Sequence, residues 1–367
     1  MVERIGEQRV LFGELPAAHI REHIDFFHFL PYLLLNHTKR TYGKLQKHCQ
    51  RGHSMRIIKP PRLQKGNVIG LIAPASPAST EEKITGGIEY LERLGYHVKV
   101  GAHIRNQHGF LAGTDEERAE DFNAMVRDPQ VHAIFALRGG YGTPRLLRLV
   151  DYRAITKNPK IIAGYSDITA LQLAMFRKTG LITFSGPMPG SDMWKELDPF
   201  TEEHFWRVLT SSKKIGVLKN PDDEPLSVLH HGSGQGRLLG GNFALLTSLI
   251  GTPYLPSLRH SVLVLEDVEE APHRVDRMLA QLLNAGILDH LAGLVFGKFT
   301  DCHPANSNEP FLSIDQVQKE YAVKVGRAVL ANFQYGHIPR KLTLPLGLPV
   351  SIQTKPLKIN ILEHAVE

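Results

Sequence analysis

A chain of 367 residues is too long for one ordinary core and calls for at least two packed units. Its composition, 42% apolar and 22% charged without low-complexity tracts, is that of a soluble globular protein, and a net charge of +6 spread along the chain gives no support to a nucleic-acid partner. Two cysteines, Cys49 and Cys302, exclude a disulfide framework and a cysteine-rich metal site, and they fit a reducing cytoplasm. The first 54 residues hold six of the 19 histidines, and their one strongly apolar stretch is "DFFHFLPYLLLNHTKR". The run Phe26 to Leu35 is too short to span a bilayer and is interrupted by His28 and Pro31. It lacks the basic flank and small-residue cleavage site of a signal peptide. Residues 1–54 are therefore expected to be a poorly packed extension, with a peripheral membrane anchor as the alternative, ahead of a domain that begins near Met55.

From Lys65 onward, short apolar runs alternate with helical periodicity. "NVIGLIAPAS" predicts a buried strand, and "STEEKITGGIEYLERLGY" a helix capped by Ser79 or Thr80 and stopped near Gly95. "HVKVG" is a second strand, "TDEERAEDFNAMVRDP" a helix ended by Pro129, and "VHAIFALRGG" a third strand. "PRLLRLVD" predicts a short helix and "KIIAGY" a fourth strand. This alternation predicts βαβ units and a parallel sheet covered on both faces, with ligands bound beyond the carboxyl ends of its strands. "LRGGYG" and "GYSD" both fall at such ends. Residues 193–234 read as a connection between domains, with one helix at "TEEHFWRVLT" and turn-rich "KNPDDEP" and "HHGSGQG". Beyond it come "GGNFALLTSLIG" as loop and helix, "SVLVLED" as a strand, and "HRVDRMLAQLLNAGIL" as a helix burying Val275, Met278, Leu279, Leu282 and Leu283. "LAGLVFGKF" is a strand, "SIDQVQKEYAVKV" a helix, and "AVLANFQYG", "VSIQT" and "LKINILE" close the chain as strands. The expectation is thus an α/β domain over 55–192 followed by a smaller β-rich domain over 235–367.

Three features carry chemistry. The glycine loop "LRGGYGTPRLL" follows a strand and exposes backbone N–H groups, which suits a tight turn or an anion or oxyanion site. It lacks the spacing and the downstream acid of a dinucleotide fingerprint. Ser166 stands at a strand-to-helix corner, either as a helix cap or as a nucleophile raised out of the backbone. A nucleophile needs a base and an orienting group. Glu266 in "LVLEDVEEAP" ends a predicted strand, which would hold it more firmly than Asp267, Glu269 and Glu270 in the loop that follows. Among the histidines, His337 in "FQYGHIPRKLTLPLG" is placed at a strand end after Gly336. The paired His230 and His231 lack the spacing of a metal site, and neither H-E-x-x-H nor C-x-x-C occurs.

Together these motifs resemble the LD-carboxypeptidases, serine peptidases that include muramoyl-tetrapeptide carboxypeptidase and the related microcin C immunity peptidases. The resemblance runs from "MRIIKPPRLQKGNVIGLIAPASP" nearly to the C-terminus through "ALRGGYG", "GYSDITAL", "GPM", "GGNFALLTSLIGTPYLP", "LVLEDVEEAPHRVDRML" and "GHIPRKLTLPLG". Residues 1–54 have no counterpart in it, and an upstream start-site assignment is the alternative to a functional part. It implies Ser166 as nucleophile, His337 as general base and Glu266 as the group orienting the imidazole, in a site between the two domains. The backbone N–H groups of Gly140 and Asp167 would form the oxyanion hole. Arg138 and Asn242 are candidates for lining the substrate site, with a structural ion pair as the alternative for Arg138. No metal or organic cofactor is implied. The expected reaction removes the terminal D-Ala from a murein tetrapeptide in cytoplasmic wall recycling, by a homodimer. An immunity-type peptidase acting on a peptidyl or aminoacyl nucleotide would favour an aromatic partner for the base, for which Trp194 is the candidate. A non-catalytic α/β ligand-binding module, with Ser166 only a cap, is the alternative from another class.

Overall fold

The computed structural model describes residues 56–304, 306 and 310–367, so the expectations for residues 1–54 lie outside the described residues. Two sheets organise the chain. The first has the order β12-β5-β4-β3-β1-β2, built from β1 (Val68–Ile72), β2 (His97–Val100), β3 (Val131–Ala136), β4 (Ile161–Ala163), β5 (Thr183–Ser185) and β12 (Leu344–Leu346). Its first five strands are parallel, as the alternating pattern predicts, and β12 pairs antiparallel with β5. Strands buried on both faces need continuous apolar runs, and Ile69, Leu71, Ile134, Phe135 and Ile161 are all fully buried.

Helices α1 (Glu81–Arg93) and α2 (Asp115–Arg127) follow the first two strands. Thr114 caps α2 in a reciprocal capping box with Glu117, whereas Thr80 holds the cap position of α1 without a side-chain bond. Two short helices, α3 (Thr143–Leu146) and α4 (Tyr152–Lys157), replace the single one expected around "PRLLRLVD". Helix α5 (Thr169–Thr179) leads from β4 to β5. The strand order reverses between β1 and β3, and at this switch point the loops after adjacent parallel strands leave a crevice. The loop after β1 (with Ser76) and the glycine loop after β3 meet there: Tyr141 N–H donates to Ser76 Oγ at 3.1 Å.

The segment 193–234, expected as a connection, is largely ordered structure. Helix α6 (Pro199–Thr210) packs Phe205 edge-on against Phe135 of β3, at 5.6 Å between ring centroids. The segment also holds β6 (Gly216–Leu218), β7 (Ser227–His230) and the start of β8 (Ser233–Asn242), which takes in "SGQG" and "GGN". Gly-rich composition masked this strand. A Cβ on Gly234, Gly236 or Gly240 would strike the backbone carbonyl oxygen of Ala292, His260 or Val264 respectively.

The second sheet has the order β6-β14-β13-β8-β9-β10-β11-β7, with β9 (Ser261–Val268), β10 (Gly293–Thr300), β11 (Ala328–Ala331), β13 (Pro349–Thr354) and β14 (Leu357–Ile361). Its centre, β8 to β11, is parallel, and antiparallel strands flank it. Helices α7 (Phe243–Ser248), α8 (Pro272–Asn284) and α9 (Ile314–Val325) accompany it, so the C-terminal half is mixed α/β. On α8 the expected face is buried, with Leu283 only partly so. Strand β11 ends at Ala331, leaving His337 in a loop rather than at a strand end. The loop running from β11 to β12 crosses back to the first sheet, and Tyr335 Oη meets Ser185 Oγ there at 2.6 Å.

Candidate active site

Strand β4 delivers Ser166 through Gly164 and Tyr165, and a turn of 3-10 helix (Ser166–Ile168) passes into α5. Ser166 has φ +65°, in the left-handed region that a non-glycine residue rarely enters. Its hydroxyl caps neither the turn nor α5. Instead Ser166 Oγ lies 2.9 Å from His337 Nε2. The hydroxyl is thus turned toward an imidazole and not toward a helix N–H.

His337 Nδ1 lies 2.8 Å from Glu266 Oε2. Glu266 is fully buried within β9, two residues before its end, and its Oε1 has no hydrogen-bond partner among the described residues. The β11–β12 loop can come this close because residue 336 is glycine: it has φ +139°, and a Cβ there would sit 3.1 Å from Glu266 Oε2. His337 is about one-fifth exposed, so the relay runs from a buried carboxylate to a solvent-reachable hydroxyl.

The ring against His337 is Tyr165, not Trp194. The Tyr165 and His337 rings are 5.0 Å apart at 57°, and Lys341 Nζ lies 4.0 Å over the same tyrosine while pairing with Asp192 at 2.6 Å. Burial, reinforced by the Asp192 and Glu266 charges, raises the Tyr165 phenol well above its ordinary value. Trp194 instead has the ammonium groups of Lys83 and Lys195 over its ring, at 5.3 and 4.3 Å. Sequence reasoning missed Tyr165, although it immediately precedes the serine, because an aromatic beside a buried strand reads as core.

The glycine loop stands directly against the serine. A Cβ on Gly139 would lie 2.8 Å from Ser166 Cβ and 3.0 Å from Oγ, so only glycine fits here. The backbone N–H groups of Gly140 and Asp167 donate to no other group among the described residues. Arg138 is partly buried, donates Nε to Gly139 O and Nη1 to Pro77 O, and has no carboxylate within ion-pair distance among the described residues. Asn242 is buried at the N-cap of α7: Leu245 N–H donates to its Oδ1, and its Nδ2 donates to Asp267 at 2.7 Å. Its side chain thus joins the start of this helix to Asp267, the residue after Glu266. Asp267 also accepts from the N–H groups of Ala244 and Val268, yet burial and the adjacent Glu266 charge push its carboxyl up to about 7. Among the described residues no three His, Cys, Asp or Glu side chains converge as metal ligands.

With this geometry in view, the family models for the LD-carboxypeptidase N-terminal and C-terminal domains match residues 69–186 and 235–352. A probable murein peptide carboxypeptidase of Bacillus subtilis is 39% identical over 84% of this chain and 95% of its own length. The structure of the microcin C7 self-immunity protein MccF in complex with aspartyl sulfamoyl adenosine superposes with a TM-score of 0.78 at 29% identity, covering 84% of this chain and all of that one. Muramoyltetrapeptide carboxypeptidase from Oxalobacter formigenes gives a TM-score of 0.70 at 31% identity over 80% of this chain and 98% of that one.

Proposed function

The chain belongs to the LD-carboxypeptidase family of serine peptidases, and from that premise we propose that it removes the terminal D-alanine from a murein tetrapeptide through an acyl-enzyme on Ser166. The observation that carries this reading is the unbroken Glu266–His337–Ser166 relay at 2.8 and 2.9 Å. Its geometry is that of nucleophile, base and orienting acid.

Ser166 Oγ attacks the carbonyl carbon of the penultimate residue as His337 Nε2 accepts its proton. Glu266 accepts from Nδ1–H, which fixes the tautomer with Nε2 free and stabilises the imidazolium that forms. The oxyanion is received by the N–H groups of Asp167 and Gly140, each worth about 3 kcal/mol in the transition state. His337 then gives its proton to the departing amine, D-alanine leaves, and a water activated by the same imidazole hydrolyses the ester. Side chains and backbone perform every step. A carboxypeptidase must also read the free terminal carboxylate, and Arg138, held at the glycine loop without an acidic partner among the described residues, is assigned that role. The family resemblance also carries a homodimer and a cytoplasmic setting in wall recycling, which light scattering and fractionation test.

The deciding experiment offers the protein a murein tetrapeptide and, separately, aspartyl sulfamoyl adenosine, and assays free D-alanine and released nucleoside product. Release of D-alanine, abolished by Ser166→Ala, is the expected result. Release of nucleoside alone would assign the immunity-type reaction, and release of neither by folded protein overturns the peptidase reading.

A further inference from the structure

Asp167 has more to do than supply an N–H. Its carboxylate is 1% exposed and accepts from Gly142 N–H at 3.3 Å and Thr143 N–H at 2.8 Å, while its own carbonyl accepts from Thr143 Oγ1. The same turn is gripped from its other side. Arg118, itself buried and paired with Asp115, donates to Gly142 O at 3.1 Å and Pro74 O at 2.6 Å, and Ser76 Oγ holds Tyr141 N–H. The end of the glycine loop, Gly142 and Thr143, is therefore tied by three bonds to the residue that follows the nucleophile, while Arg118 and Ser76 hold the same loop from its other side. No cation makes an ion pair with Asp167 among the described residues; Arg118 is the charged group that faces it, with Arg145 beyond on Asp115. Burying a carboxylate with so little compensation is unfavourable, and burial pushes its carboxyl up to about 6. That cost is offset mainly by the two backbone N–H groups from which the carboxylate accepts, so the charge is tied to holding the glycine loop.

We propose that Asp167 is a positioning residue: its side chain sets the separation of the two oxyanion donors, its own N–H and that of Gly140, by tying the glycine loop to the nucleophile corner. The inference rests on the reading of Ser166 as nucleophile. The carboxylate works in its ionised form, because the two N–H donors go to different oxygens and only the ionised group accepts freely at both. In an asparagine the amide nitrogen would confront one of them.

The test is Asp167→Asn, with active sites counted by stoichiometric fluorophosphonate so that misfolded protein does not enter the rate. The kcat for murein tetrapeptide should fall about 30- to 300-fold per titrated site with KM nearly unchanged, since the interaction exists only in the transition state. A tripeptide boronic acid, whose tetrahedral adduct places an oxygen in the hole, should lose affinity by the same factor. Thr143→Val, which removes a single bond of the clamp, provides a milder second variant with a smaller parallel loss of about 3- to 10-fold in both quantities. If kcat per site stays within threefold in Asp167→Asn, or falls while the boronate affinity holds, the proposal is overturned. A Ser166→Ala enzyme that still turns over sinks the parent reading, and this one with it.

Discussion

Replacing Glu266 by glutamine probes the relay at its most buried point. The carboxylate is fully enclosed and 2.8 Å from His337 Nδ1. At an effective dielectric of about 20, its attraction for an imidazolium at that distance is about 6 kcal/mol, equivalent to a ceiling near 10⁴ in rate. Glutamine keeps the shape and loses that term. If its carbonyl faces Nδ1–H, its NH₂ occupies the place of Oε1, which is buried and has no partner among the described residues. The unsatisfied donor would then cost about 1–3 kcal/mol of stability. If the NH₂ faces Nδ1 instead, the imidazole proton moves to Nε2 and His337 can no longer accept from Ser166. Both outcomes lower kcat, by about 10³- to 10⁴-fold, with KM little changed. Asp267 supplies a second readout: part of what holds its carboxyl up near 7 is the Glu266 charge, so it should titrate at lower pH in the variant. The assay is single-turnover release of D-alanine from tetrapeptide, with circular dichroism to establish folding and carboxyl-carbon NMR for Asp267. A folded Glu266→Gln enzyme within tenfold of wild type would refute the argument that this carboxylate drives the imidazole.

Ser166→Gly should lose at least about 10⁴-fold in turnover yet gain about 1 kcal/mol of stability, because glycine relieves the left-handed backbone at φ +65°; a less stable variant in urea unfolding would show the corner to be unstrained. Gly139→Ala should cut kcat about 100-fold by pushing its Cβ into Ser166; activity within threefold would contradict the close packing of loop and serine. The Asp167 carboxyl, near 6 when folded against about 3.9 unfolded, binds more protons in the folded state, so its contribution is present below pH 4 and lost as pH rises through 6. Wild type should therefore lose up to about 3 kcal/mol between pH 4 and pH 7 relative to Asp167→Asn, as measured by urea unfolding; parallel stability curves for the two proteins would refute it.

The first sheet was legible because its strands are buried on both faces and bounded by helices with ordinary stop signals. Strands β1 to β4 and helices α1 and α2 fall within a few residues of their expected places. The second sheet was legible only where burial wrote apolar runs, as in β9 and β10. Strand β8 begins "SGQG", which composition reads as a flexible turn. The physical reason those glycines form a strand is the carbonyl of the neighbouring backbone that each would otherwise strike, and that is a fact about another part of the chain. Strand β12 is hidden for a related cause: three residues gain strand character only by adding to a sheet whose other members lie 150 or more residues earlier.

The site divides along the same line. Ser166 was visible as a corner residue whose two uses are locally indistinguishable, since a cap and a nucleophile both call for a hydroxyl where a strand turns into a helix. What separates them is the backbone at φ +65° and an imbalance of bonds: the hydroxyl satisfies no helix N–H and meets an imidazole from 171 residues away. Glu266 and His337 were legible through the motifs around them rather than through their own positions. Tyr165, Gly139 and the clamp of Asp167 on the glycine loop were not. Each of these acts by what its shape or charge denies to a neighbour, so its role exists only once the loops after β1, β3 and β4 are brought together. Ser166 and the Asp167 carboxylate also work against the fold that holds them. Glycine at 166 would relieve the strained backbone and protonation would relieve the buried charge at 167, and both changes are expected to cost turnover, which is the pattern proposed for a corner kept for chemistry rather than for stability.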